Sequence, residues 1–174
     1  NEAAGPFARQ CLLARRLVER GVRFIQIYCG AENTTAEKIR PNWDSHEDLP
    51  RDHGYWGEIL DIGAAALLKD LKSRGLLDQT LVVLASEFGR TPDIDEDQGR
   101  NHYPKAFSTL LAGGGVVGGQ RFGKTDKEGR EVVTEPTSIP DLNATIAYAC
   151  GIPTDHTLYS PSGRPFKVAD KGIA

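Results

Sequence analysis

Apolar side chains recur with helical spacing in two stretches of the first half of the chain. Over residues 7–18 the spacing predicts a helix, and Gly21 stands where a left-handed residue would end it. Over residues 56–71 apolar side chains lie three and four positions apart with polar ones between them, and Gly75 follows. The pattern therefore predicts two amphipathic helices, separated by a long polar loop over residues 30–54.

Three further stretches have the composition of strands. Residues 22–29 begin as an alternating run rich in β-branched and aromatic side chains, and residues 81–85 are continuously apolar. A continuous apolar run is typical of a strand covered on both faces of a parallel sheet. Strand, helix and strand in this order predict a right-handed βαβ unit. Residues 106–112 are predicted as another buried strand.

The last third of the chain alternates turn signals with short regular elements. The glycine cluster at residues 113–119 lacks the Gly-Lys-Ser/Thr ending of a phosphate-binding loop, which favours a flexible turn. Residues 122–133 predict a hairpin, and residues 142–150 predict a helix opened by Ser138 or by Pro140-Asp141. The tail at residues 164–168 adds one short strand.

Composition limits the classes of protein that need to be considered. With 174 residues, of which 39% are hydrophobic and 26% charged, the chain is expected to form a single domain over residues 1–174. The net charge of -3, without a basic run, gives no support for nucleic acid as a partner. No apolar run is long enough for a membrane span. The three cysteines lack a metal-binding spacing and are interpreted as small buried hydrophobic residues.

Short polar clusters beside the predicted elements suggest a metal site. Asp44 and His46 are two residues apart, so in an extended segment both side chains point the same way. Glu87 directly follows a predicted strand, at the end of a parallel sheet where ligands gather, and His102 follows in a later turn. Carboxylate and imidazole ligands favour Zn²⁺ or Mn²⁺, with Fe²⁺ also suitable and Ca²⁺ less natural. We predict that Asp44, His46, Glu87 and His102 bind a divalent metal.

Two arginines lie in the same loops as these residues. Guanidinium groups bind tetrahedral anions through paired hydrogen bonds, so Arg90 and Arg100 are predicted to hold a phosphate or sulfate group during catalysis. The alternative is an ordinary surface loop in which Arg90 pairs with Glu87 and Asp44 caps a turn. Neither Ser45 nor Ser86 has the surroundings of a nucleophile elbow. His53 and His156 are interpreted as surface histidines.

The order of several motifs resembles the C-terminal part of the uncharacterised bacterial DUF1501 proteins, sulfatase-like members of the alkaline phosphatase superfamily. The motifs that carry the resemblance are Trp43-Asp44-Ser45-His46, Glu87-Phe88-Gly89-Arg90-Thr91-Pro92, Gly99-Arg100-Asn101-His102 and Pro140-Asp141-Leu142-Asn143-Ala144-Thr145. The resemblance implies a three-layer α/β/α sandwich with a mostly parallel sheet, of which this chain would form the C-terminal portion.

The resemblance also implies roles for individual residues. Asp44, His46 and His102 look like the ligands of one metal ion, and Glu87-Phe88 stands where relatives have an Asp-His pair for a second. The nucleophile and an early Asp would belong to an N-terminal half of the same protein. The expected function is metal-dependent hydrolysis of small anionic phosphate or sulfate esters once the two halves are joined. The alternative is a non-catalytic binding or structural module. Related proteins are often periplasmic or secreted.

Overall fold

The computed structural model describes residues 5–30 and 43–174, so residues 31–42 of the predicted loop lie outside the described residues. The chain divides into two compact units. The first comprises Asn1–Leu77 and Phe88–Phe107, and the second comprises Asp78–Glu87 and Ser108–Ala174. The single domain over residues 1–174 stays a prediction.

The described residues form helices and short strands, and this confirms the mixed α/β class. The helices are α1 (Gly5–Val18), α2 (Leu49–Ser73) and α3 (Ile139–Ala149), with a 3₁₀ turn at Leu77–Gln79. The strands are β1 (Val82–Leu84), β2 (Gly89–Arg90), β3 (His102–Tyr103), β4 (Leu110–Ala112), β5 (Lys124–Thr125), β6 (Val132–Thr134), β7 (Thr157–Tyr159) and β8 (Pro165–Lys167).

In the first unit, α1 packs against α2 around a small aromatic core. Trp56 and Ile59 of α2 are buried and are covered by partly buried neighbours, among them Phe7 of α1. Gly63 allows the close approach of the two helices, because a Cβ atom there would lie 2.4 Å from the Phe7 ring. The amphipathic pattern of the sequence thus predicted both helices and the buried face of α2, whereas Leu12 of α1 is 41% exposed.

Charged side chains join the C-terminal ends of α1 and α2. The Arg15 side chain is almost fully buried, and its Nε donates to Asp70 Oδ2 at 2.8 Å. Arg74 Nε donates to Asp70 Oδ1 at 2.6 Å, and both arginines also contact Glu19. The Arg74 guanidinium, followed by Arg15, holds the pKa of Asp70 below its ordinary value.

Helix α2 begins at Leu49, seven residues before the predicted start. Asp48 is its N-cap and accepts a hydrogen bond from the Arg51 amide at 3.3 Å, while Pro50 lies in the first turn. Both are ordinary helix-start signals. The apolar pattern missed these turns because Arg51 and Asp52 interrupt it; Asp52 is nevertheless fully buried.

The strands of the described residues pair as four antiparallel two-stranded sheets. In the first unit, β2 pairs with β3 so that Arg90 lies opposite His102. In the second unit the pairs are β1 with β4, β5 with β6, and β7 with β8. The hairpin and the tail strand are therefore confirmed.

The N-terminus of α3 is also confirmed. Ser138 is the N-cap, and its side chain and that of Asp141 form a reciprocal capping box with the backbone. The Asp141 Oδ2 atom accepts from the Ser138 amide at 2.9 Å, and Oδ1 accepts from the Ile173 amide at 2.8 Å. Asp141 thus caps the helix and also holds the C-terminal tail.

Residues 22–29, predicted as a strand, lie outside every strand ladder of the described chain. Phe24 and Tyr28 in this segment are 81% and 72% exposed. The alternation of side chains in residues 22–29 is typical of a strand. A strand also requires a hydrogen-bonded partner strand, which the local sequence pattern does not specify. Among the described helices, none is both long enough and apolar enough to cross a membrane.

Candidate metal centre

Asp44, His46 and His102, three of the four predicted ligands, converge at one point of the first unit. Their ligand atoms all lie within 4.8 Å of one another. His46 Nε2 lies 3.0 Å from Asp44 Oδ1, and His102 Nε2 lies 2.8 Å from the same oxygen. Two imidazole nitrogens and one carboxylate oxygen are therefore directed at a common centre.

The three side chains come from two segments that are distant in the chain. Asp44 and His46 belong to the turn that leads into α2, and His102 belongs to β3. The His46 and His102 rings lie 5.0 Å apart between centroids. On its other side the His102 ring contacts Phe88, with 4.3 Å between centroids. Ring contacts therefore restrict the orientation of His102.

Arg90 connects the two segments through hydrogen bonds of its guanidinium group. Its Nη2 donates to Asp44 Oδ1 at 2.8 Å and to the Trp43 carbonyl at 3.1 Å. Its Nη1 donates to the Arg100 carbonyl at 3.0 Å and lies 3.4 Å from the Ser45 carbonyl. The Arg90 side chain is only 16% exposed, so these contacts are largely shielded from solvent. They join the turn that contains Asp44 to the β2–β3 strand pair.

The Asp44 carboxylate is held in its ionised form. Hydrogen bonds from His102 and then Arg90 lower its pKa well below the ordinary value of 3.8, with a smaller contribution from His46. The side chain is nevertheless 54% exposed. A charged, accessible oxygen with two imidazoles beside it is a suitable ligand for a divalent cation.

The contacts of the His46 ring allow two positions for its proton. Nδ1 lies 3.2 Å from Asn101 Oδ1, and Nε2 lies 3.0 Å from Asp44 Oδ1 and 3.4 Å from Arg90 Nη1. A proton on Nε2 is donated to Asp44, whereas a proton on Nδ1 is donated to Asn101 and leaves the Nε2 lone pair for a metal ion. Metal binding at Nε2 would therefore replace the hydrogen bond from His46 to Asp44.

A second loop of the first unit supports the turn that carries the ligands. The amides of Asp48 and Leu49 donate to the carbonyls of Asp97 and Gln98 at 3.1 and 2.9 Å. Gly99 lies so close to His46 that a Cβ atom would stand 2.0 Å from its backbone. The acidic loop at residues 93–99 is mostly exposed, but its backbone holds the turn of Asp44 and His46 in place.

His53 is half-buried and interacts with the residue preceding the cluster, contrary to the prediction of a surface histidine. Its Nε2 donates to the Trp43 carbonyl at 3.0 Å, and the two rings lie 5.5 Å apart between centroids. Trp43 Nε1 in turn donates to the Cys29 carbonyl at 2.9 Å. The sequence missed this role, because the apolar pattern predicted the helix only from residue 56, after His53. His156 is exposed, as predicted.

The remaining predicted residues have different outcomes. Glu87 is exposed and belongs to the second unit, and its role as a metal ligand stays a prediction. Arg100 is half-buried. Among the residues that the structure describes, its buried Nε atom has no hydrogen-bond partner. The roles of Arg90 and Arg100 in anion binding also stay predictions.

Comparison with known proteins gives a family and no characterised relative. The family model described as "Protein of unknown function (DUF1501)" matches residues 1–174. No curated protein and no solved structure matches the chain significantly.

Proposed function

Because this chain belongs to the DUF1501 family, whose function is unknown, we propose a function from its own site: it is a metal-dependent hydrolase of phosphate or sulfate esters. Asp44, His46 and His102 bind the divalent ion. The observation that carries the proposal is the convergence of these three ligand atoms within 4.8 Å.

The spacing of the ligand atoms suits a small transition-metal ion. Zn–N and Zn–O bonds of about 2.0–2.1 Å in a tetrahedron separate neighbouring ligand atoms by roughly 3.4 Å. The two nitrogen–oxygen distances are 3.0 and 2.8 Å, so small outward movements of the side chains would admit the ion. Two imidazoles favour Zn²⁺ or Mn²⁺ over Ca²⁺. Three protein ligands leave a position for water or an ester oxygen.

The residues around the ion have separate roles in the proposed reaction. The bound metal supplies a Lewis acid that polarises the ester oxygen and acidifies a water molecule. Arg90 helps to keep Asp44 ionised and holds the turn that contains Asp44 through the Trp43 carbonyl. Arg100 is the better candidate to bind the anionic group, because the guanidinium of Arg90 already contacts Asp44 and three backbone carbonyls. Ser45 is fully buried, which argues against a nucleophilic role.

The resemblance in motif order supports the wider parts of the proposal. These are a three-layer α/β/α sandwich with a mostly parallel sheet and a second metal held or oriented by Glu87. An N-terminal half of the same protein would supply the nucleophile, and the whole protein would be exported to the periplasm or beyond. The substrate would be a small anionic ester.

Metal content of the purified chain tests the proposal directly. After exposure to Zn²⁺, Mn²⁺ or Ca²⁺ and removal of free metal, we expect about one Zn or Mn per chain, since one tetrahedral site is available. His46→Ala and His102→Ala should each lose it. His156→Ala is the matched control, because it removes an exposed histidine outside the cluster and should keep the metal. Absence of bound metal in the parent chain would contradict the proposal.

Activity is tested separately on the metal-loaded chain. Release of nitrophenol from p-nitrophenyl phosphate or p-nitrophenyl sulfate, lost in His102→Ala, would support hydrolysis. Metal binding without turnover of either ester, also after addition of the N-terminal part, would favour a binding module instead.

The second candidate is a non-catalytic structural module. It is favoured by the hydrogen bonds of Arg90, whose guanidinium already contacts Asp44 and three backbone carbonyls. In this case the ion pairs of Asp44 with Arg90 and His102 serve only to join the Asp44 turn to the β2–β3 strand pair. His102→Ala would then lower thermal stability in the presence of a chelator, and added metal would change nothing.

A further inference from the structure

Ser45 lies between the two ligands Asp44 and His46, and its side chain faces the protein interior. Its Oγ lies 2.7 Å from Asp52 Oδ2 and 2.5 Å from the Glu47 carbonyl oxygen, so its single hydrogen is shared between two acceptors. Ser45 and Asp52 are both 0% exposed. Hydrogen bonds to an ionised acceptor are shorter and stronger than neutral ones, and water does not compete at a buried site.

Asp52 is held rigidly by its position in α2. It lies in the first turn of the helix, and its amide donates to the Asp48 carbonyl at 3.1 Å. Arg51 donates through Nε to Asp52 Oδ1 at 2.7 Å and through Nη2 to Oδ2 at 3.0 Å. A bidentate guanidinium pair fixes the plane of the carboxylate as well as its charge. The acceptor that faces Ser45 is therefore preorganised by the helix.

We infer that Asp52 is a positioning residue for the metal centre, acting through the hydroxyl group of Ser45. The inference rests on the proposed metal site. The bond from Ser45 to Asp52 anchors the middle of a three-residue turn, so the side chains on either side of Ser45 are directed outward together. Neither Asp52 nor Ser45 contacts the ion. Their removal would let the turn rotate and would separate the Asp44 and His46 ligand atoms.

The test is the Zn²⁺ dissociation constant, measured by competition with a chelating dye on the whole chain. Ser45→Ala removes the bond and leaves Arg51 and Asp52 paired, so we expect Zn²⁺ to bind about 10- to 100-fold more weakly, as for other groups that orient metal ligands. Asp52→Ala should weaken binding similarly. Because both changes break the contact between Ser45 and Asp52, the double variant should be weakened by less than the sum of the two single changes.

Asp70→Asn is the control for a general loss of stability. Asp70 lies in the same helix and also forms a partly buried contact with an arginine, but it is about 27 Å along the axis from Asp52 at 1.5 Å per residue. Its Zn²⁺ affinity should equal that of the parent chain. If Asp52→Ala does not fold, the comparison of Zn²⁺ affinity between Ser45→Ala and Asp70→Asn tests the inference by itself.

Three outcomes are distinguishable. A parent chain that binds no metal overturns the proposed function, and this inference with it. Normal Zn²⁺ affinity in Ser45→Ala, or equal weakening in Asp70→Asn, overturns only the positioning role of Asp52. Weakening confined to the Ser45 and Asp52 variants, without additivity, supports it.

Discussion

At the scale of single residues, the cluster depends on one oxygen atom. Asp44 Oδ1 accepts hydrogen bonds from His102 at 2.8 Å, from Arg90 at 2.8 Å and from His46 at 3.0 Å. These donors favour the ionised carboxylate in the folded protein, which is why its pKa is lowered. The same oxygen is the atom around which a metal ion would assemble the other two ligands.

The lowered pKa of Asp44 predicts how stability changes with pH in the metal-free protein. A depressed folded pKa contributes stability that is complete above the ordinary value of 3.8 and is lost as the pH falls below it. The difference in unfolding free energy between the parent and Asp44→Asn should therefore be present at pH 6 and shrink towards pH 2. We expect roughly 1 kcal/mol or less, because solvent screens the half-exposed carboxylate.

Urea unfolding at several pH values, with a chelator present, measures this difference. The variant keeps the shape of the side chain and removes its charge, so it serves as its own steric control. A difference that stays constant between pH 6 and pH 2 would show that the Asp44 charge does not stabilise the folded state.

At the scale of elements, α2 links the core of the first unit to the proposed metal centre. Its first turn contains Asp52 and lies beside the ligand turn, and its middle turns contain Trp56, Ile59 and Gly63, which face α1. A change in the packing of α2 against α1 can therefore be separated from a change at its N-terminus.

Two glycines of α2 provide a matched test of this packing. Gly57→Ala meets no atom within 4 Å, so it should stabilise the protein by about 0.5–1 kcal/mol through helix propensity alone. Gly63→Ala gains the same propensity but places a methyl group 2.4 Å from the Phe7 ring. Overpacking costs about 1–3 kcal/mol. The second variant should thus be less stable than the first by about that amount.

Thermal and urea unfolding of the two variants gives the comparison. Equal stabilisation by both alanines would mean that Phe7 moves aside without cost and that the contact between α1 and α2 at Gly63 is loose.

At the scale of the whole molecule, the proposed site belongs to one of the two units. Asp44, His46 and His102 all lie in the first unit, whereas α3 and the strand pairs β5–β6 and β7–β8 lie in the second. A ligand stabilises the folded state of the part that binds it. Metal binding should consequently distinguish the two units.

Hydrogen exchange with and without Zn²⁺ measures this distinction. At a free metal concentration of 100 times the dissociation constant, stabilisation is about 2.7 kcal/mol, so exchange through unfolding of the first unit should slow roughly a hundredfold. We expect the effect in α2 and a much smaller one in α3. His102→Ala is the control, in which neither helix should respond. Equal protection of α2 and α3 would show that the units unfold together.

The sequence alone was sufficient for features that depend on neighbouring residues. These features are helices α1 and α2, the start of α3 near Ser138, the hairpin near residue 129 and the glycines that end helices. They follow from local spacing and from the conformations that each residue permits. The choice of Asp44, His46 and His102 as neighbours also came from the sequence, through side-chain chemistry and motif order.

Tertiary structure decided everything that joins distant segments. His102 reaches Asp44 across 58 positions, and β2 and β3 pair to put Arg90 beside both. The sequence also did not predict that β1 pairs with β4 in antiparallel fashion. Nor did it predict that residues 22–29 have no strand partner among the described residues. An apolar run indicates a buried strand but does not specify the neighbouring strand. The local pattern also gave no sign that Asp52 is buried, because a charged residue is usually exposed. Its contacts with Ser45 and Arg51, which make the burial possible, are visible only in the structure.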